Sequence, residues 1–257
     1  MCTALKLLIN GVKGFCGCDS LRRIVLASGK GGVGRSTLTA NLGVALAKMG
    51  KATTVVDASL TTPDLSLMFK LEKALYTLND VLAGEASLAD AIYDGPSGLK
   101  IIPAGVTLEQ IKKAKPDGLS TVLRELPTKT EFLLIDAPGG LRRETVAALR
   151  SGREVLLIAA PDIATVSNIM KTRLIAEFLG LKPIGIVLNR VRGEEFELTR
   201  DEIKHIMDLP VLAEIPEDGE VKKALNQGKI LAQVSPRSPA SKAIEGLARK
   251  LAKMRAK

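Results

Sequence analysis

Arg23-Ile24-Val25-Leu26-Ala27-Ser28-Gly29-Lys30-Gly31-Gly32-Val33-Gly34-Arg35-Ser36-Thr37, running on into Leu38–Met49, is the stretch from which the fold is read. Its first part is a short apolar, β-branched run suited to a strand buried on both faces. Its last part places Leu38, Leu42, Ala45, Leu46 and Met49 at helical spacing and closes on Gly50. Between them, four of the six residues 29–34 are glycine. Glycines let consecutive backbone N–H groups turn inward around phosphate oxygens, and the following helix adds its positive end. The string is a phosphate-binding loop, G-x-x-x-x-G-K-[ST], with one change: the lysine of the pattern is Arg35. Such a loop implies a nucleoside triphosphate, with the Ser36 hydroxyl available to Mg²⁺.

The rest of the chain fits that start. Strand-like runs at 52–56, 99–103, 132–135, 155–160, 184–188 and 211–215 alternate with helical patterns at 75–82, 88–93, 119–126, 142–149, 163–179, 201–207, 221–227 and 239–253. Near-continuous Val/Ile/Leu strands belong in a parallel sheet covered on both faces. The expected fold is therefore α/β, a single doubly wound, mostly parallel sheet flanked by helices, with ligands at the carboxyl ends of the strands. Residues 1–20 read as an extension ahead of one domain spanning 21–257.

Composition narrows the function. The 257 residues contain no apolar stretch of about 18 residues free of charge, so no membrane-spanning helix is expected. No secretory signal is recognisable, and Cys2, Cys16 and Cys18 are the only cysteines, which points to a reducing cytoplasm. The net charge of +9 is concentrated at the ends: residues 1–35 hold six Lys/Arg against one acid, and 220–257 hold ten against two. Basic ends suit an anionic surface, either a membrane's inner face or nucleic acid. Seven aromatic residues and no tryptophan argue against a protein that stacks single-stranded bases.

Several segments, taken in order, resemble one family, the MinD/ParA group of "deviant Walker A" P-loop ATPases, in its archaeal MinD-like form. They are the loop with its early Lys30, Val55-Val56-Asp57-Ala58-Ser59-Leu60, Val81-Leu82-Ala83-Gly84-Glu85-Ala86, Leu133-Leu134-Ile135-Asp136-Ala137-Pro138-Gly139-Gly140, Val187-Leu188-Asn189-Arg190 and Ile215-Pro216-Glu217-Asp218. The resemblance covers about 22–250. It implies a P-loop NTPase that binds ATP/ADP and Mg²⁺ and dimerises with ATP. Gly29, Gly31, Gly32, Val33, Gly34, Arg35, Ser36 and Thr37 would hold the phosphates, and Lys30 would reach those of a partner copy. Ser36, Asp57 and Asp136 would serve the metal, with Asp136 accepting from one of its waters. Asn189, Pro216, Glu217 and Asp218 would frame the adenine. Lys30, Arg35 and Asp57 are the residues expected to act in catalysis. Protein partners would read the segments Thr61–Leu65 and Gly139–Arg143, and the role implied is spatial positioning of the cell-division or partitioning type.

Three departures bear on chemistry. Arginine is planar, larger and forked where lysine is a compact ammonium, so Arg35 is expected to reach over the loop or displace the nucleotide. Ser59 replaces a carboxylate that helps position the attacking water, and Asn168 stands where the family often has aspartate. Hydrolysis is therefore expected to be slow or lost; a nucleotide-free scaffold is the alternative. Two stretches add readings of their own. Leu5, Leu8, Ile9, Val12 and Phe15 form one face of a short basic helix suited to a peripheral membrane contact, and Ile244, Leu247, Leu251 and Met254 make a second stripe that either does the same or covers the sheet. Cys2, Cys16 and Cys18 are three soft ligands for a metal or Fe–S carrier, although their spacing matches known sites poorly.

Overall fold

The computed structural model describes residues 21–254; the N-terminal stripe and the three cysteines lie outside them. Eight strands form one sheet: β1 (Arg22–Ala27), β2 (Thr53–Asp57), β3 (Tyr93–Asp94), β4 (Lys100–Ile102), β5 (Phe132–Asp136), β6 (Glu154–Ala159), β7 (Lys182–Val191) and β8 (Val211–Pro216). Their order is β3-β4-β2-β5-β1-β6-β7-β8, parallel throughout except for β3. β1, which carries the loop, lies near the middle of the sheet between β5 and β6, its side chains buried on both faces. Ile24 and Leu26 join one core, and Val25 and Ala27 the other. That two-sided burial is why the strands read as unbroken apolar runs.

The helices are α1 (Arg35–Lys48), α2 (Leu65–Met68), α3 (Leu78–Ala83), α4 (Leu108–Lys113), α5 (Leu119–Val122), α6 (Arg143–Ser151), α7 (Ile163–Phe178), α8 (Arg200–Met207), α9 (Gly219–Asn226), α10 (Leu231–Val234) and α11 (Pro239–Lys253). Leu38, Leu42 and Leu46 of α1 share a core with Ile244, Leu247 and Leu251 of α11. The C-terminal stripe thus covers the sheet, and Met254 packs at its edge. No described helix is long and apolar enough to cross a membrane.

The differences from the sequence reading are local. The pattern at 88–93 gives only a 3₁₀ turn, Ala89–Ala91, before Tyr93 and Asp94 enter the antiparallel edge strand. Leu88 holds the N-cap place of that turn with no side-chain cap bond, and the Ser87 hydroxyl donates to the Asp90 carboxylate (2.6 Å). The segment 119–126 breaks after one turn, because α5 hands over to a 3₁₀ turn at Leu123–Glu125. The short helices α2, α4 and α10 had no legible periodicity.

At the amino end of β1, Arg22 is buried and forks onto Glu154 of β6 (2.9 and 3.0 Å). It also donates to the carbonyls of Leu251 and Met254, and its guanidinium lies over the Phe132 ring. One side chain joins two strands to the last turn of α11.

Candidate functional site

The loop joins the carboxyl end of β1 to α1. Gly34 caps α1 in the left-handed region (φ 83°, ψ 21°), with no side chain satisfying the first-turn N–H groups. Those donors remain available to an anion. The loop is packed from outside as well. A Cβ on Gly29 would lie 2.3 Å from the backbone of Asn168 in α7, and one on Gly139 would lie 2.9 Å from the Gly31 nitrogen. Asn168 therefore serves the loop through its backbone, as a wall that only glycine can approach.

A cleft bordered by Gly31, Gly32, Gly34, Arg35, Ser36, Thr37, Thr62, Asp64 and Gly139 opens over the loop. A second cavity is lined by Asn189, Pro216, Glu217, Asp218, Leu38, Leu231, Ala240 and Ile244. Gly34, Thr37 and Arg190 border both. The structure thus brings the phosphate-loop residues together at one lobe and Asn189, Pro216, Glu217 and Asp218 at the other. Lys30 is exposed on the loop's rim.

Arg35 does not reach over the loop. It is turned inward and is 8% exposed; its Nε donates to Asp136 Oδ1 at 2.7 Å. Its two terminal nitrogens donate to the hydroxyls of Ser28 (3.3 Å), Ser36 (3.3 Å) and Ser59 (3.5 Å). Three small hydroxyl residues make room for the fork, and Ser59 is one of them: an acceptor stands where the family pattern has a carboxylate. Thr39 also donates to Asp136 Oδ1 (3.1 Å), while Oδ2 is buried without a hydrogen-bond partner.

Asp57 and Asp136 are register neighbours at the ends of β2 and β5. Both oxygens of Asp57 accept from backbone: Ser59 N (3.0 Å) and Leu65 N (3.0 Å). Its carboxyl is pushed well above the usual range by burial first and then by the charge of Asp136, against the opposing pull of those two donors; Asp64 adds to the rise. Asp57 therefore pins the segment from 59 to 65 over the loop. Asp218 is similarly engaged, accepting from Glu220 N (2.9 Å) and Ala240 N (3.1 Å), which ties α9 to α11 beside the second cavity. Asn189 donates to the Val33 carbonyl (2.7 Å), leaving its oxygen as the acceptor.

Two residues at the cleft carried no role in the sequence reading. Asp64 accepts from the Ser36 hydroxyl at 3.2 Å. Its signal was present as the acid of Thr61–Leu65, read only as a surface for partners. Arg190 borders both lobes with a left-handed backbone, φ 61°, a conformation costly for a side-chain-bearing residue and concentrated at functional sites.

The donor set fits Mg²⁺. Ser36 and Asp64 border the cleft with hard oxygens, as this ion requires, and Asp136 Oδ2 is buried with no hydrogen-bond partner. Among the described residues no three His, Cys, Asp or Glu gather into a ready-made cage.

Gly34→Ala tests the loop. The new Cβ would stand 2.3 Å from the Asn189 amide on a backbone that L-residues avoid. Roughly 1–2 kcal/mol of strain to restore the binding conformation, before the clash, corresponds to about a 5–30-fold loss of nucleotide affinity. Titration of folded protein measures it.

Residues 24–231 match the family described as the CobQ/CobB/MinD/ParA nucleotide binding domain. An uncharacterized ATP-binding protein of Methanocaldococcus jannaschii is 44% identical over 228 residues, covering 89% of this chain and 86% of that one. The septum site-determining protein MinD of Thermotoga maritima is 32% identical over 239 residues, covering 89% and 87%. The structure of MinD from Pyrococcus horikoshii, solved with Mg-ADP, superposes with a TM-score of 0.87 at 38% identity, covering 91% of this chain and 96% of that one. With its glycine loop, paired strand-end aspartates and parallel sheet, the chain belongs to the MinD/ParA family of nucleotide-binding proteins.

Proposed function

We propose that the protein is an ATP-binding switch of the MinD/ParA kind, acting in spatial positioning, whose ATP hydrolysis is slow. The observation that carries the reading is the Arg35–Asp136 pair inside a loop otherwise arranged for phosphates. In-line phosphoryl transfer depends on positioned cations at the transferring group and on an oriented water. Here the loop's cation is bound to the carboxylate beneath it. Ser59, the residue at the water-positioning place, offers a hydroxyl already accepting from Arg35.

The binding half of the cycle is supported by the donors of the loop and of α1's first turn, by Ser36 and Thr37, and by the Asn189 oxygen, which suits an adenine amino group. Mg²⁺, when bound, neutralises phosphate charge. The Mg-ADP of the Pyrococcus MinD structure is consistent with the same ligands here. Lys30, exposed on the rim, would reach a second copy's phosphates in an ATP-dependent dimer. The segments Thr61–Leu65 and Gly139–Arg143 flank the cleft and would present its state to a protein partner; the exposed Leu67 and Leu141 lie in or beside them. Basic termini would add a peripheral membrane or non-specific DNA contact. The septum-site role named for the Thermotoga relative supports the positioning type.

Calorimetric titration with Mg-ATP, paired with steady-state hydrolysis, tests the reading. The expected result is saturable binding well below millimolar nucleotide with turnover far below that of a MinD carrying lysine and aspartate at these positions. Matching turnover overturns the slow step. Absence of binding at millimolar nucleotide leaves a scaffold that keeps only the fold.

A further inference from the structure

We propose that Asp64 is a positioning residue for the divalent ion, acting through Ser36; the inference rests on the nucleotide-binding reading above. Asp64 occupies the N-cap place of α2, where a carboxylate ordinarily bonds the helix's first N–H groups, yet it makes no side-chain cap bond. It accepts from the Ser36 hydroxyl instead. Its backbone is fixed from both sides, by the rigid φ of Pro63 and by the Leu65 N–H donated to Asp57.

The chemistry follows from the hydroxyl. A serine that ligates an ion uses a lone pair and keeps its proton, which then needs an acceptor. A carboxylate in that place strengthens the ligand and fixes its direction. Ser36 accepts from Arg35 (3.3 Å) and donates to Asp64 (3.2 Å), so one lone pair remains for a metal. Asp64 is exposed and borders the cleft over the loop, and on the buried side the Asp136 Oδ2 has no partner. Asp64 also restores to the cleft the negative charge that Ser59 lacks.

The test is ADP affinity measured against Mg²⁺ concentration for wild type, Asp64→Ala, Asp64→Asn, Ser36→Ala and the Ser36→Ala/Asp64→Ala pair, each verified as folded by thermal melting. Partners that orient a metal ligand are typically worth about 10–100-fold in metal affinity. The Mg²⁺ concentration giving half the gain in ADP affinity should rise about 10–100-fold in Asp64→Ala. Asp64→Asn, which keeps an acceptor oxygen without the charge, should fall between. Metal-free ADP affinity should stay level or tighten. In the Ser36→Ala background Asp64→Ala should add nothing. An unchanged Mg²⁺ midpoint, or an equal loss with Ser36 already removed, overturns the role of Asp64 while leaving nucleotide binding intact. If wild type binds no ADP with or without Mg²⁺, the nucleotide reading fails and this inference with it.

Discussion

Arg35→Lys combined with Ser59→Asp is expected to raise steady-state ATP hydrolysis by about 10²–10³-fold, the usual worth of one well-placed transition-state contact. The argument is geometric. Arg35 Nε is 2.7 Å from Asp136, and the rest of the fork is occupied by three hydroxyls. Lysine has one point charge on a thin stem and no fork to fill that hydroxyl ring. On the proposed reading its ammonium would follow the phosphates, and Asp136, no longer paired with Arg35, would be free to accept from a water of the bound ion. Aspartate at 59 restores an acceptor for the attacking water's proton. The single changes should fall short of the pair, because Ser59 and Arg35 are in contact and contacting sites do not add. A double variant no faster than wild type, with unchanged nucleotide affinity, would mean that these two positions do not limit hydrolysis.

Arg22→Ala carries the second large effect. It leaves Glu154 buried beside an empty place and removes the donors to the Leu251 and Met254 carbonyls. Breaking one side of a buried pair costs about 3–5 kcal/mol. At roughly 2–4 °C per kcal/mol for a chain of this size, melting should fall by about 6–20 °C. Replacing both partners, Arg22→Met with Glu154→Met, should recover most of the loss, since apolar side chains of similar volume leave no uncompensated charge. A drop of less than about 1 kcal/mol in the single variant would show that water reaches Glu154 readily.

The sequence was most legible where physics acts locally. Unbroken Val/Ile/Leu runs marked the central strands because both faces of each are covered, and the glycine string marked the loop because each residue there answers a backbone demand. β3 was not legible: Tyr93 and Asp94 are a strand only through pairing with Lys100 and Ile101, a contact no local pattern encodes. Arg35 could be recognised as a departure, but its direction depends on Ser28, Ser59 and Asp136, which come from three strand ends. Asp64 was hidden for the same reason. Its proximity to Ser36 exists only because Asp57 folds the 59–65 segment back over the loop.

The last helix bears on how surface attachment can be studied. Ala240 and Ile244 of α11 wall the cavity at Asn189, Ala240 N is anchored to Asp218, and the helix end is held by Arg22. A truncation made to remove a suspected C-terminal anchor would therefore also open that cavity and expose the apolar core beneath the helix. Lost localisation in such a variant would report unfolding as readily as detachment. Charge reversal confined to the outward positions Lys242, Arg249 and Lys253, which stand in solvent, separates the two outcomes.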